Sequence, residues 1–131
     1  MTESEQKHVY SYTDLDVYKR SYKLSIIVCT KLIIKLPKEE QFDLVDQLRR
    51  SSKAIPRLIA EGFGKKHQKK GFQKYLDDAI AENNETIVSL SHARDIYYNK
   101  VNTKSIDRLI EEYVIVGKQM FRLKQSWNKF L

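Results

Sequence analysis

The sequence predicts an all-α domain, an antiparallel up-down-up-down four-helix bundle. Three observations predict it. Apolar residues recur every three or four positions through four long stretches, which places them on one face of each helix. Only four glycines and two prolines occur among 131 residues, and no alternating apolar–polar run is bounded by turn residues, so strands are not indicated. The links between the first and second stretches and between the third and fourth are short. Short links force antiparallel neighbours.

The first helix is expected from about Asp14 to Lys35, with Leu15, Tyr18, Tyr22, Ile26, Cys29, Ile33 and Leu36 on one face. Thr13 or Asp14 serves as its N-cap, and Pro37 stops it, because the residue before a proline avoids the helical region. The second runs from about Glu40 to Glu61. Leu44, Leu48, Ser52, Ile55, Ile59 and Gly62 fall within about 80° of one another on its wheel. Pro56 lies inside it, removes the hydrogen bond to the Ser52 carbonyl, and predicts a kink or break. Gly62 and Gly64 are expected to end it. The third runs from about Lys70 to Tyr98, with Phe72, Leu76, Ala79, Asn83, Ile87, Leu90 and Tyr97 as its stripe. The fourth runs from about Lys104 to Phe130, capped by Thr103 or Ser105, with Ile106, Leu109, Ile110, Tyr113, Gly117, Met120 and Trp127 inward. Residues 1–12 are read as a flexible arm and residues 13–131 as the bundle.

A chain of this length makes one domain with one core. The single cysteine, Cys29, excludes a disulfide framework and a multi-cysteine zinc site, and is read as a small core residue. No apolar stretch is long enough to cross a membrane. The polar start, Met1 to Lys7, has no apolar signal core, so the expected location is the cytoplasm.

The formal charge is +7, and its distribution says more than its size. Residues 49–70 hold Arg49, Arg50, Lys53, Arg57, Lys65, Lys66, Lys69 and Lys70 against a single acid, Glu61, and the rest of the chain is balanced. On the helical wheel Arg49, Arg50, Lys53 and Arg57 share an arc of about 100° opposite the apolar face. The four lysines extend this strip through the following loop. Such an array matches the phosphates of an RNA or DNA backbone. The plain alternative is a solvated face that keeps the protein soluble.

Other candidates are weaker. Gly62-Phe63-Gly64-Lys65-Lys66 lacks the full phosphate-loop pattern and follows a helix, whose C-terminal dipole end repels phosphate. His8, His67 and His92 form no metal-binding motif. Asp77, Asp78, Glu82 and Glu85 lack the Glu-x-x-His partners of a carboxylate metal site. No nucleophile–base pair or cofactor loop is visible, so neither catalysis, a cofactor nor a metal is expected. Asn83 and Thr86 fall on an apolar face, either as a hydrogen-bonded core pair, as a device that sets register, or as a polar step at a subunit interface. Phe63 is either a hydrophobic staple or a surface on which a base stacks.

Leu48-Arg49-Arg50, Ile55-Pro56 and Ile59-Ala60-Glu61-Gly62 form a signature that resembles the small four-helix-bundle proteins encoded in intervening sequences of 23S ribosomal RNA genes. Asp14-Leu15-Asp16-Val17-Tyr18 resembles the family's opening. Lys69-Lys70-Gly71-Phe72, Tyr75-Leu76, Ala79 and Ala93-Arg94-Asp95-Ile96-Tyr97 are similar to its third helix. The likeness spans about residues 14–127. The same family includes the accessory variability proteins of diversity-generating retroelements. The resemblance implies a non-enzymatic homopentamer with a basic exterior, bound to RNA or DNA and partnered with a reverse transcriptase. The alternative is an intervening-sequence member acting as a protein–protein scaffold.

Overall fold

The computed structural model describes residues 9–128. It is a four-helix bundle, and no strand occurs among the described residues. Helix α1 spans Asp16–Ile27 and continues through a π turn, Val28–Leu32, and a 3-10 turn, Ile33–Lys35. Helix α2 spans Leu44–Gly64, α3 Gly71–Ile96 and α4 Thr103–Asn128. Each helix packs on its neighbours in sequence, and α1 closes the ring on α4. The N-terminal arm to residue 8, and Phe130 at the expected end of the last helix, lie outside the described residues. Within the arm, Val9 packs against the core.

The core is built mainly from α2, α3 and α4. Leu48, Ile55 and Ile59 face Phe72, Leu76 and Leu90, with Tyr113, Val116 and Met120 closing the far side, all fully buried. Every residue of the expected α2 stripe is buried. The buried arc is wider than expected, about 200° of the wheel, because Val45, Ser51, Ala54, Pro56 and Phe63 are also covered. Pro56 does not break α2, which runs through it. Gly62 does not end it either: the helix continues to Gly64. A Cβ on Gly62 would stand 2.6 Å from Tyr75 Cβ and 3.0 Å from the Phe72 ring. Its bare backbone therefore lets α3 close on α2.

The expected face of α1 is rotated. Val17, Ser21, Leu24, Ser25, Val28 and Leu32 point inward, while Tyr22 and Ile26 are about half exposed, at 51% and 48%. Leu15, Ile33 and Leu36 are buried as expected, and Tyr18 and Cys29 are only half-buried. Both stripes recur at helical spacing, and serine decides between them. Ser21 and Ser25 are small enough for close approach, and each hydroxyl donates to a carbonyl of its own helix, Tyr18 at 3.1 Å and Tyr22 at 2.6 Å. Their burial then leaves no unsatisfied group. The π turn widens the last part of α1 and brings Leu32, Ile33 and Leu36 to the core together.

The helix ends use different caps from those expected. Leu15 occupies the α1 N-cap without a side-chain bond. Ser11 and Asp14 instead cap the short 3-10 turn Tyr12–Asp14. The Asp14 carboxylate accepts from the Tyr10 and Ser11 N–H groups at 2.9 and 3.0 Å, which hold it below the usual carboxylate range. At α4 the cap is Asn102, whose Oδ1 accepts from Ser105 N at 3.0 Å. Asn83 and Thr86 are both buried, and each bonds elsewhere. Asn83 Nδ2 donates to the Tyr113 carbonyl at 2.9 Å, and Thr86 Oγ1 bonds Ser51 Oγ at 2.8 Å and the Glu82 carbonyl at 2.9 Å.

One carboxylate joins three segments at the bottom of the bundle. Glu40 Oε1 accepts from Leu44 N at 3.2 Å, and Oε2 accepts from the Tyr97 hydroxyl. Tyr97 is thus half-buried at the end of α3 rather than a core residue. The Glu40 bond, with burial second, pushes its hydroxyl up to about 12. The raised value means that this bond supports the fold fully below about pH 10, the unfolded tyrosine value, and is lost as pH rises through the folded value. Absorbance titration of Glu40→Gln is expected to return one tyrosine from near 12 towards 10.

Candidate nucleic-acid interface

Helix α2 and the loop that follows it position the eight basic residues singled out in the sequence. Arg50, Lys53 and Arg57 are exposed and Arg49 is half-buried, so the strip lies on the open side of α2. Lys65, Lys69 and Lys70 are exposed in the loop, with His67 beside them. Lys66 is half-buried, its Nζ lying 4.2 Å from the centre of the Phe63 ring. Lys70 adopts a left-handed backbone, φ 58°, immediately before α3.

The strip meets more acid than the sequence window contains: besides Glu61, Asp46 lies one turn earlier on α2, and Glu82 and Glu85 come from α3. Arg50 pairs with Asp46 at 3.5 Å and Arg57 with Glu61 at 3.7 Å. Glu82 and Glu85 of α3 line one hollow of about 370 Å³ together with Arg50, Lys53 and Arg57. Burial, and then Glu85, raise the Glu82 carboxyl, while Arg57 and Arg50 pull it down. Along α2 the positive charge of Arg50 and Arg57 is therefore answered. In the loop the charge is not: among the described residues, no acid lies within 4 Å of Lys65, Lys66, Lys69 or Lys70. The strongest uncompensated charge sits at the α2–α3 end of the bundle.

Phe63 is not available to a base. It is buried against Phe72 and Trp127, with ring centres 5.9 and 6.1 Å away. It closes the α2–α3 turn as a staple.

A second cationic surface lies outside residues 49–70. The groove between α1 and α4, about 720 Å³, has a floor of Leu24, Ile27, Leu32, Ile106 and Leu109. Arg20, Lys23, Lys31, Lys35, Lys100 and Arg108 surround it, and its one acid, Glu112, is held by Arg20 at 2.6 Å. Four of these cations come from residues 17–38, which hold Lys19, Arg20, Lys23, Lys31, Lys35 and Lys38 and no acid; Lys100 and Arg108 join them from the other end of the chain, where acids stand nearby. Wheel positions for α1 combined with antiparallel pairing to α4 could have located it.

A third groove, about 380 Å³, runs between α1 and α2. Tyr12, Tyr18, Tyr22 and Ile26 form one wall, and Lys53, Pro56, Arg57 and Ala60 the other. It is the direct product of the rotated α1 face.

Among the described residues, no group of three or more His, Cys, Asp or Glu side chains is placed to hold a metal ion. No helix among them is long and apolar enough to cross a membrane.

Comparison with curated proteins returns no significant match. Residues 13–122 match the 23S rRNA-intervening sequence protein family, over most of the chain and including both α2 and the basic loop. Together with the four-helix bundle, that match assigns the chain: it belongs to the 23S rRNA-intervening sequence protein family.

Proposed function

We infer that this protein is a non-enzymatic accessory factor that binds the backbone of RNA or DNA through residues 49–70. The observation that carries this reading is the loop of Lys65, Lys66, Lys69 and Lys70, four cations without an acid within ion-pair distance among the described residues, continuous with Lys53 and Arg49 on α2. Lysines on an open surface neutralise phosphates without reading base edges, so binding is sequence-tolerant and salt-sensitive. In the finer form of this reading the chain acts as a homopentamer that holds template RNA near a reverse transcriptase, as the resemblance to accessory variability proteins suggests. A ring of copies repeats the basic loop and raises avidity without new contacts.

Fluorescence anisotropy with labelled RNA and DNA, on protein whose assembly mass is known from light scattering, tests this function. Binding of both nucleic acids without sequence preference supports it. Absence of binding near physiological salt moves the assignment to a protein–protein scaffold. The groove between α1 and α4 favours that second reading specifically, since its apolar floor and cationic rim suit an acidic protein surface.

A further inference from the structure

We propose that the groove between α1 and α2 takes an unstacked base, so that the protein prefers single-stranded to duplex nucleic acid. The inference rests on the function proposed above and names the form of ligand it selects. Base–aromatic stacking is the usual way a backbone-binding surface holds a single strand without reading its sequence. What such a surface needs is an accessible aromatic wall beside a phosphate track, and this groove has both.

The aromatic wall is ordered before any ligand arrives. Tyr18 and Tyr22 are one turn apart on α1, with ring centres 5.9 Å apart and planes inclined by 31°. Tyr12 meets Tyr18 edge-on at 4.9 Å, and the capped turn of Ser11 and Asp14 holds it there. Tyr22 and Ile26 remain about half exposed beside Tyr18, leaving ring surface open to a planar partner.

The opposite wall provides the charge. Lys53 and Arg57 line this groove and also the hollow that faces Glu82 and Glu85. These two residues are therefore where the basic strip borders the aromatic wall. Lys53 has no acid within ion-pair distance among the described residues. A strand whose phosphates follow the strip brings a base to the tyrosines. A duplex keeps its bases stacked inside and contacts the cations alone. Phe63, the aromatic beside Lys66, is buried and supplies no competing platform.

Anisotropy titrations with a labelled single strand and with its duplex, for wild type and for Tyr22→Ala and Tyr22→Phe, test the proposal. Wild type is expected to favour the single strand. Tyr22→Ala is expected to weaken single-strand binding about 5- to 150-fold, the range for loss of one stacked base, with duplex affinity and salt slope unchanged. Tyr22→Phe keeps the ring and is expected to retain the affinity. Equal losses for single strand and duplex overturn the proposal, as does no loss at all. A phenylalanine variant as weak as the alanine variant overturns it too, because the hydroxyl rather than the ring then matters. A changed assembly mass in Tyr22→Ala makes the groove a contact between copies and also overturns it. Retained duplex binding in any of these cases leaves the backbone-binding function standing. If wild type binds neither form, that function fails and this inference with it.

Discussion

Removing three loop charges is expected to weaken nucleic-acid binding far more than removing three charges from α2. The matched variants are Lys65→Ala, Lys69→Ala, Lys70→Gly on one side and Arg50→Ala, Lys53→Ala, Arg57→Ala on the other. Glycine is used at position 70 because the backbone there is left-handed, where alanine is strained. Each phosphate contact contributes about 0.9 to the salt slope for duplex DNA, which near 0.1 M salt is almost one order of magnitude in affinity. Three loop lysines are therefore worth about two to three orders. The two arginines are already engaged by Asp46 and Glu61, with Glu82 and Glu85 close by, so releasing them to phosphate exchanges one partner for another. Their variant is expected to lose about tenfold, mostly from Lys53. Anisotropy at one fixed salt concentration, on proteins of equal helicity and mass, measures the difference.

Gly62→Ala is expected to destabilise the fold by about 1–3 kcal/mol, the usual cost of forcing atoms into a filled core. The new Cβ meets Tyr75 Cβ at 2.6 Å, and neither atom can turn away, since both are fixed to helical backbone. The helices must separate, and the Phe63–Phe72–Trp127 cluster beside them loosens. The better helix propensity of alanine recovers at most about 1 kcal/mol. Gly64→Ala is the control. A Cβ there meets nothing within 4 Å, and the same propensity gain is expected to leave stability level or slightly raised. Thermal unfolding of the pair separates packing from propensity: the Gly62 variant melts several degrees lower, and the Gly64 variant does not.

Both results bear on what could be read from the chain alone. The number of helices and the inward stripes of α2 and α4 follow from periodicity, because those helices carry one clear apolar face each; most of the α3 stripe is read correctly too, although its buried face also holds Gln73, Asn83, Thr86 and Ser89. Helix α1 does not carry one clear apolar face. Tyr18, Tyr22 and Ile26 and the set Val17, Leu24 and Val28 are equally regular. The choice rested on serines that satisfy their own hydroxyls, which a hydropathy pattern scores as polar. Gly62 reads as a stop signal by residue type, yet it is a close-approach position, visible only when α3 is in place. Charge behaved similarly. The excess in residues 49–70 is a property of the sequence, but Glu82 and Glu85 come close to Arg50 and Arg57 from another helix, and Lys100 and Arg108 join the cations of residues 17–38 around the α1–α4 groove from a distant segment. A linear window sees neither effect.

The salt dependence of binding by the unmodified protein tests the central claim most directly. Log affinity for a duplex, followed from low to physiological salt, is expected to fall linearly with log salt, and the slope is expected to flatten by about 2.7 in the loop variant, three contacts at about 0.9 each. A salt-insensitive affinity, or a slope that the loop variant leaves unchanged, would contradict the assignment of Lys65, Lys69 and Lys70 as the phosphate-contacting surface.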